Sequence, residues 1–316
     1  MNVKHIVVFL LAVVFIAACG KKEHVSKALK KKEFDYKYLQ QEEKEDIKAK
    51  KFHVKRRETI SYFYDKYGKK DKRGYLVESK NYDEKGNLIE HAFYTARGVA
   101  DRKHVYEYDE NNNLITESSY DIWNKLRFQR LAKYDKFGNM ISAKEFDEKI
   151  NDYDLVLFEY DEDGNLLSRT KYSPDDEILE KTVNKYDSLG HKLEAIDFVG
   201  EERIKQSSKF KYDSLGLPVI EQLDIPGTLP KYRYYKYDQA GHMIEERMKH
   251  YIKKYAFNDD HDLLMDELFD GEGNLQTRFQ YFYDERGLLK EKIRYDSFGN
   301  PAIYVSYKYE FYNNTK

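Results

Sequence analysis

Tyr160-Asp161-Glu162-Asp163-Gly164-Asn165-Leu166-Leu167 is one copy of a frame that returns along most of the chain. The same order of aromatic, aspartate, two variable residues, glycine and asparagine stands at Tyr82 to Asn87, Tyr134 to Asn139 and Tyr295 to Asn300. From Tyr82 the aromatic position recurs at Tyr94, Tyr108, Tyr120, Tyr134, Phe146, Tyr160, Tyr172, Tyr186, Phe198 and Tyr212. A shorter step, as from Tyr82 to Tyr94, alternates with a longer one, as from Tyr94 to Tyr108. The full unit is therefore about 26 residues long and holds two half-repeats.

Each half-repeat has a mechanical reading. An aspartate opening a type I turn accepts hydrogen bonds from the backbone ahead of it, and the glycine three residues on takes the left-handed conformation that closes the bend. Asp83 and Gly86, Asp135 and Gly138, Asp161 and Gly164, Asp187 and Gly190, Asp213 and Gly216, and Asp296 and Gly299 are thus structural turn residues. Strand-forming runs flank them, such as His104–Tyr108 before one bend and Leu114–Tyr120 after it, the second with Leu114, Thr116, Ser118 and Tyr120 on one face. The expected fold class is all-β, an antiparallel meander of tandem hairpin repeats forming an extended, twisted or spiralling sheet. Tyrosine suits such a sheet because its ring covers cross-strand neighbours, and its hydroxyl is expected to stay in water. Ile303 to Tyr312 reads as a capping edge strand, with Lys308 and Glu310 discouraging further pairing.

The Tyr-Asp-x-x-Gly-Asn-Leu frame resembles the YD repeat of RHS-repeat proteins over about residues 70 to 312. In that family the repeat builds a spiralling sheet that can close into a shell around a C-terminal toxin. The longer unit departs from the family's period, so a closed toxin shell is not expected here, and the sequence leaves open whether the sheet closes.

The N-terminus has its own signature. Lys4 precedes an apolar run from Ile6 to Ala18, too short to span a bilayer comfortably, as in a signal peptide. Its end, Ile16-Ala17-Ala18-Cys19, resembles the lipobox of bacterial lipoproteins. The resemblance implies removal of residues 1–18 and lipidation of Cys19. Cys19 is also the only cysteine, so no intrachain disulfide can form. Gly20, where an aspartate would retain a lipoprotein in the inner membrane, implies the outer membrane, at its periplasmic face or at the cell surface. Residues 19–53 are expected to be a charged tether and 54–316 the repeat array.

Composition narrows the partners. Between residues 21 and 57 there are 14 basic against 7 acidic residues, which with Lys4 leaves the rest of the chain near -10 from a total of -2. An acidic array without a basic stripe excludes nucleic acid, whose binding depends on neutralising phosphates. The membrane, through the lipid, is the expected surface.

No catalytic constellation, phosphate-binding loop or zinc motif stands out, and no cofactor or metal is expected. His191, His242 and His261 fall on turn positions and read as turn substitutions. The acidic turns at Asp161–Asn165 and Asp259–Asp262 lack the spacing of a calcium loop. The frame breaks in two places. At Asp121-Ile122-Trp123-Asn124 two large apolar groups occupy a bend, which makes Trp123 a candidate ligand contact. Between Tyr212 and Phe257 lie Pro218, Pro226 and Pro230, and the interval from Tyr237 to Phe257 falls short of a full unit. Residues 243–255 read as two strands with a tight turn near His250 in preference to a helix. The whole stretch is expected to be a kink or a ligand-bearing insertion, with Tyr232, Tyr234 and Tyr235 as candidate contacts.

The expected function is that of a non-enzymatic, lipid-anchored cell-envelope protein presenting a binding surface to an envelope protein or a glycan. An immunity or antitoxin-like lipoprotein that neutralises a toxin is the alternative.

Overall fold

The computed structural model describes residues 41–65 and 67–313. Among the described residues one helix, α1 (Gln41–Lys51), precedes twenty strands. The first ten are β1 (Val54–Phe63), β2 (Tyr75–Tyr82), β3 (Leu88–Tyr94), β4 (Ala100–Tyr108), β5 (Leu114–Asp121), β6 (Leu126–Tyr134), β7 (Met140–Asp147), β8 (Asp152–Tyr160), β9 (Leu166–Tyr172) and β10 (Ile178–Tyr186). They continue as β11 (Lys192–Val199), β12 (Arg203–Tyr212), β13 (Pro218–Asp224), β14 (Lys231–Tyr237), β15 (Met243–Met248), β16 (Tyr251–Phe257), β17 (Leu263–Asp270), β18 (Leu275–Tyr283), β19 (Leu289–Tyr295) and β20 (Pro301–Phe311).

Consecutive strands pair antiparallel from β1 to β20, and β1 also pairs with β20. The sheet is therefore a closed 20-stranded barrel, which corrects the extended or spiralling sheet expected from the repeats. Closure gives partners to the backbone groups that two free edges would leave exposed. The expected capping strand is corrected with it: β20 is bonded on both sides, its register with β1 running from Val54↔Phe311 to Phe63↔Ile303. Lys308, expected to repel a neighbour, stands opposite Glu58.

The bends follow the chemistry of the frame. At Asp161 the carboxylate accepts from the Asp163 and Asn165 amides and from the Asn165 side chain, and the Gly164 amide donates to the Asp161 carbonyl. Gly164 holds φ 75°. Where glycine is missing, Asn112, Asn124, Asp176 and His261 take the same conformation, and these residue types tolerate it best.

A meander puts successive bends at opposite ends, and this explains the two half-repeats. At one rim, tyrosines one full unit apart reach back to the start of the preceding strand. Tyr108 donates to the Leu88 carbonyl (2.9 Å), Tyr134 to Leu114 (2.8 Å), Tyr160 to Met140 (2.9 Å), Tyr186 to Leu166 (3.0 Å) and Tyr212 to Lys192 (2.7 Å). Tyr283 and Tyr309 do the same further round, and Tyr312 donates to the Tyr82 carbonyl (2.6 Å) across the closure. The expectation that the hydroxyls stay in water is thus corrected at this rim, where carbonyls next to the bends lack a ladder partner and the phenol supplies one.

Alternate residues face the inside and outside of the barrel. Inward groups pair with their neighbours: Arg130 binds Glu117 and Glu145, and Lys171 links Glu145 to Asp154. Outward positions include the exposed Lys133, Lys144, Glu159, Lys209 and Lys254. Both faces carry charge at mid-strand, and on the outer face these charges stand among exposed apolar residues such as Leu131 and Leu157. Eight strands suffice for side chains to fill a barrel, and sixteen to eighteen already leave a channel. Twenty strands are, by that count, enough to leave an open interior.

Most of the best-buried side chains, Lys44, Val54, Tyr82, Asp262 and Leu289, lie at the tyrosine rim around α1, while Asp154 and Val156 are buried on β8. The segment Gln41–Lys51 falls within the stretch expected to be a tether, but it is a helix seated on the barrel. Lys48 and Lys50 in its last turn complement the helix dipole, and His53 at φ 53° ends it. Lys44 donates to the His261 carbonyl, Lys48 to Asp262 and the Gly287 carbonyl, and Glu45 accepts from Arg57. Asp46 accepts from Lys80 (3.2 Å) and from the Tyr82 hydroxyl (2.9 Å). Gly86 is needed twice over, since its φ is 82° and a Cβ there would come 2.7 Å from the Lys50 Cα. Ala49, Val54 and Tyr82 form the buried apolar cluster beneath the helix. These partners come from strands and bends remote in sequence, so a charged segment without a broad apolar stripe is helical only on the finished barrel.

Candidate functional site

The site is built where the repeat is broken, at the rim opposite α1. Pro218 opens β13, a position that needs no ladder donor, and Pro226 and Pro230 lie in the connection to β14. β15 and β16 are joined through Lys249 and His250 alone, with Met248 opposite Tyr251. This shortened hairpin accounts for the short interval from Tyr237 to Phe257, and residues 243–255 are two strands. No kink interrupts the pairing from β12 to β17.

A long proline-bounded connection beside a short hairpin leaves a cleft between them. It encloses about 590 Å³, within the usual range for ligand pockets. Leu229 and Pro230 form one wall, Met248 and His250 the other, and Tyr232, Tyr234 and Arg247 the floor. Tyr232 and Tyr234 are two apart on one strand and share its outward face, with ring centroids 6.4 Å apart and ring planes at 27°. Both rings remain over two-fifths exposed, 42% and 46%. Arg247 stands opposite Tyr234 in the register, its Nε 3.2 Å from Glu245. Thr228, Lys231 and Lys249 complete the lining, which contains no carboxylate.

Tyr235, grouped with these tyrosines in the sequence, points the other way. Its hydroxyl donates to Glu221 (2.9 Å), which also accepts from Arg233 (2.6 Å), and burial together with Glu221 pushes the phenol up to about 12. It belongs to the inward ion network. Trp123 is 78% exposed on the β5–β6 bend, its amide donating to Asp121 (2.9 Å). It shares the cleft's rim but lies about half the circumference away, so the structure does not bring the two together. Cys19 lies outside the described residues.

The histidines occupy turn geometry. His191 and His242 each place Nδ1 on the aspartate four residues back, at 2.9 and 2.7 Å, as asparagine does elsewhere. His242 Nε2 meets His261 Nδ1 at 2.7 Å, beneath the carbonyl that holds Lys44. Among the described residues no group of three or more potential ligands is placed to hold a metal.

Arg247, Met248 and Lys249 were not legible as site residues. Their only signal was the shortened spacing, which marks a change in the hairpin without saying which side chains it uncovers.

No protein family and no curated protein matches the chain. Some solved structures align with it distantly. A porin-like protein from Bacteroides uniformis aligns over 81% of this chain and 98% of its own, at 10% identity and a TM-score of 0.40. TcdB2-TccC3 without its hypervariable C-terminal region aligns over 69% of this chain at 13% identity and a TM-score of 0.35. The Tc holotoxin pore of Photorhabdus luminescens aligns over 74% at 13% identity and a TM-score of 0.30. This chain spans only 15% and 17% of the last two.

Proposed function

We propose that this protein is a non-enzymatic, lipid-anchored envelope protein that binds a ligand in the cleft between the β13–β14 connection and the β15–β16 hairpin. The observation that carries the reading is the placement of that cleft. α1 is the first described element of the chain, and it sits on the tyrosine rim, so an anchor at Cys19 would join the barrel there. The cleft is at the other rim, away from α1, and its aromatic floor is exposed.

Two measurements test the two halves. Cys19→Ala is expected to move the protein from the membrane to the soluble envelope fraction; retention in the membrane would count against the anchor. Tyr232→Ala/Tyr234→Ala is expected to abolish capture of envelope material by the purified barrel while leaving its circular dichroism and melting temperature unchanged. Undiminished capture by this variant would move the binding surface elsewhere, Trp123 being the next place to look.

A further inference from the structure

We infer that the ligand of this cleft is an acidic glycan, one whose sugar rings carry carboxylates. The inference rests on the reading of the cleft as a ligand site and adds the chemistry of what enters it. Tyr232 and Tyr234 present two nearly parallel rings side by side, a platform suited to the C–H faces of successive sugar rings. The cations around it are Lys231, Arg247 and Lys249.

Charge decides between a neutral and an acidic sugar. The array as a whole is acidic, so a site lined by three cations and no carboxylate is a local reversal. Among the described residues Lys231 and Lys249 are paired with no carboxylate, and Arg247 meets Glu245 through Nε, leaving the end-on fork between its two terminal nitrogens. A planar guanidinium fork with free terminal N–H groups matches a carboxylate, and two lysines beside it add point charge without a geometric demand. A long polyanion such as nucleic acid would meet the acidic barrel on either side of the patch, whereas a short uronate segment fits within it.

The experiment is calorimetric titration of the full chain with short oligogalacturonides and hyaluronan oligosaccharides, beside carboxyl-reduced oligogalacturonides and a single-stranded DNA oligomer. The uronates are expected to bind, and Lys231→Ala/Lys249→Ala to weaken them about tenfold or more. Tyr234→Ala is expected to abolish binding with the melting temperature unchanged. Binding of the reduced oligomers as tight as that of the acids overturns the acidic inference and leaves the cleft reading standing. So does failure of both uronates where capture of envelope material still depends on Tyr232 and Tyr234. Uronate binding untouched by the lysine and tyrosine substitutions overturns both. DNA binding lost in the same variants, with no uronate binding, replaces the glycan with nucleic acid.

Discussion

A glycine at φ 75° and a phenol at a carbonyl are the two residue-scale devices from which the rim is made. Gly164→Val forces a β-branched side chain into the left-handed region, at about 1–2 kcal/mol, and is expected to lower the melting temperature where Glu162→Ala, on the exposed crest of the same bend, leaves it unchanged. Tyr160→Phe removes the bond to the Met140 carbonyl and should cost about 1 kcal/mol in urea titration. The turn aspartates predict an acid limit. At Asp109 and Asp270 bonds from the asparagine side chain and amide hold the carboxyl below its usual range; at Asp161 burial opposes this, but the donors of Asn165 and Asp163 outweigh it. A depressed folded value gives stability that is present above the unfolded value near pH 4 and lost as pH falls through the folded one. The urea midpoint should therefore be flat from about pH 6 down to 5 and fall below about 4. A midpoint that holds to about pH 2 would mean that these bonds contribute nothing.

At the scale of the element, α1 depends on ions. Arg57 is buried between Glu45 and Glu78, and although burial disfavours its charge the two carboxylates raise its pKa well above the usual range. Removing it strands those carboxylates, so Arg57→Ala is expected to destabilise by roughly 3 kcal/mol. Arg56→Ala breaks only the half-exposed pair with Glu58 and should cost under about 1 kcal/mol. Similar denaturation midpoints for the two variants would remove α1 and its partners from the stability of the barrel. The charge pattern of this segment was legible in the sequence, but its helicity was not: His261, Asp262 and Gly287 lie more than two hundred residues away and only the closed barrel brings them to Lys44 and Lys48.

For the whole molecule, closure is the property with the clearest readout. The amides of Thr59 and Tyr307, paired across the β1–β20 seam, are expected to exchange with solvent as slowly as those of Thr182 and Asp197 in the middle of the meander. Fast exchange confined to β1 and β20 would mean an open sheet. Closure also gives the molecule two unlike ends, one tied by tyrosines and covered by α1, the other carrying the irregular bends and the cleft.

The sequence by itself determined the strand, the bend and their order, because these depend on residues within one half-repeat: an aspartate that accepts from its own turn, a glycine that turns left, and alternating side chains between them. It also located the broken stretch from Tyr212 to Phe257, since a repeat makes its own exceptions visible. Only the tertiary structure decided that the sheet closes. Each pairing from β1 to β20 is set locally, but whether twenty twisted steps bring Thr59 opposite Tyr307 depends on their accumulated curvature, to which every residue contributes a little and none decisively. The same reason separates Tyr235 from Tyr232 and Tyr234: alternation places it on the other face, and only closure makes that face the inside.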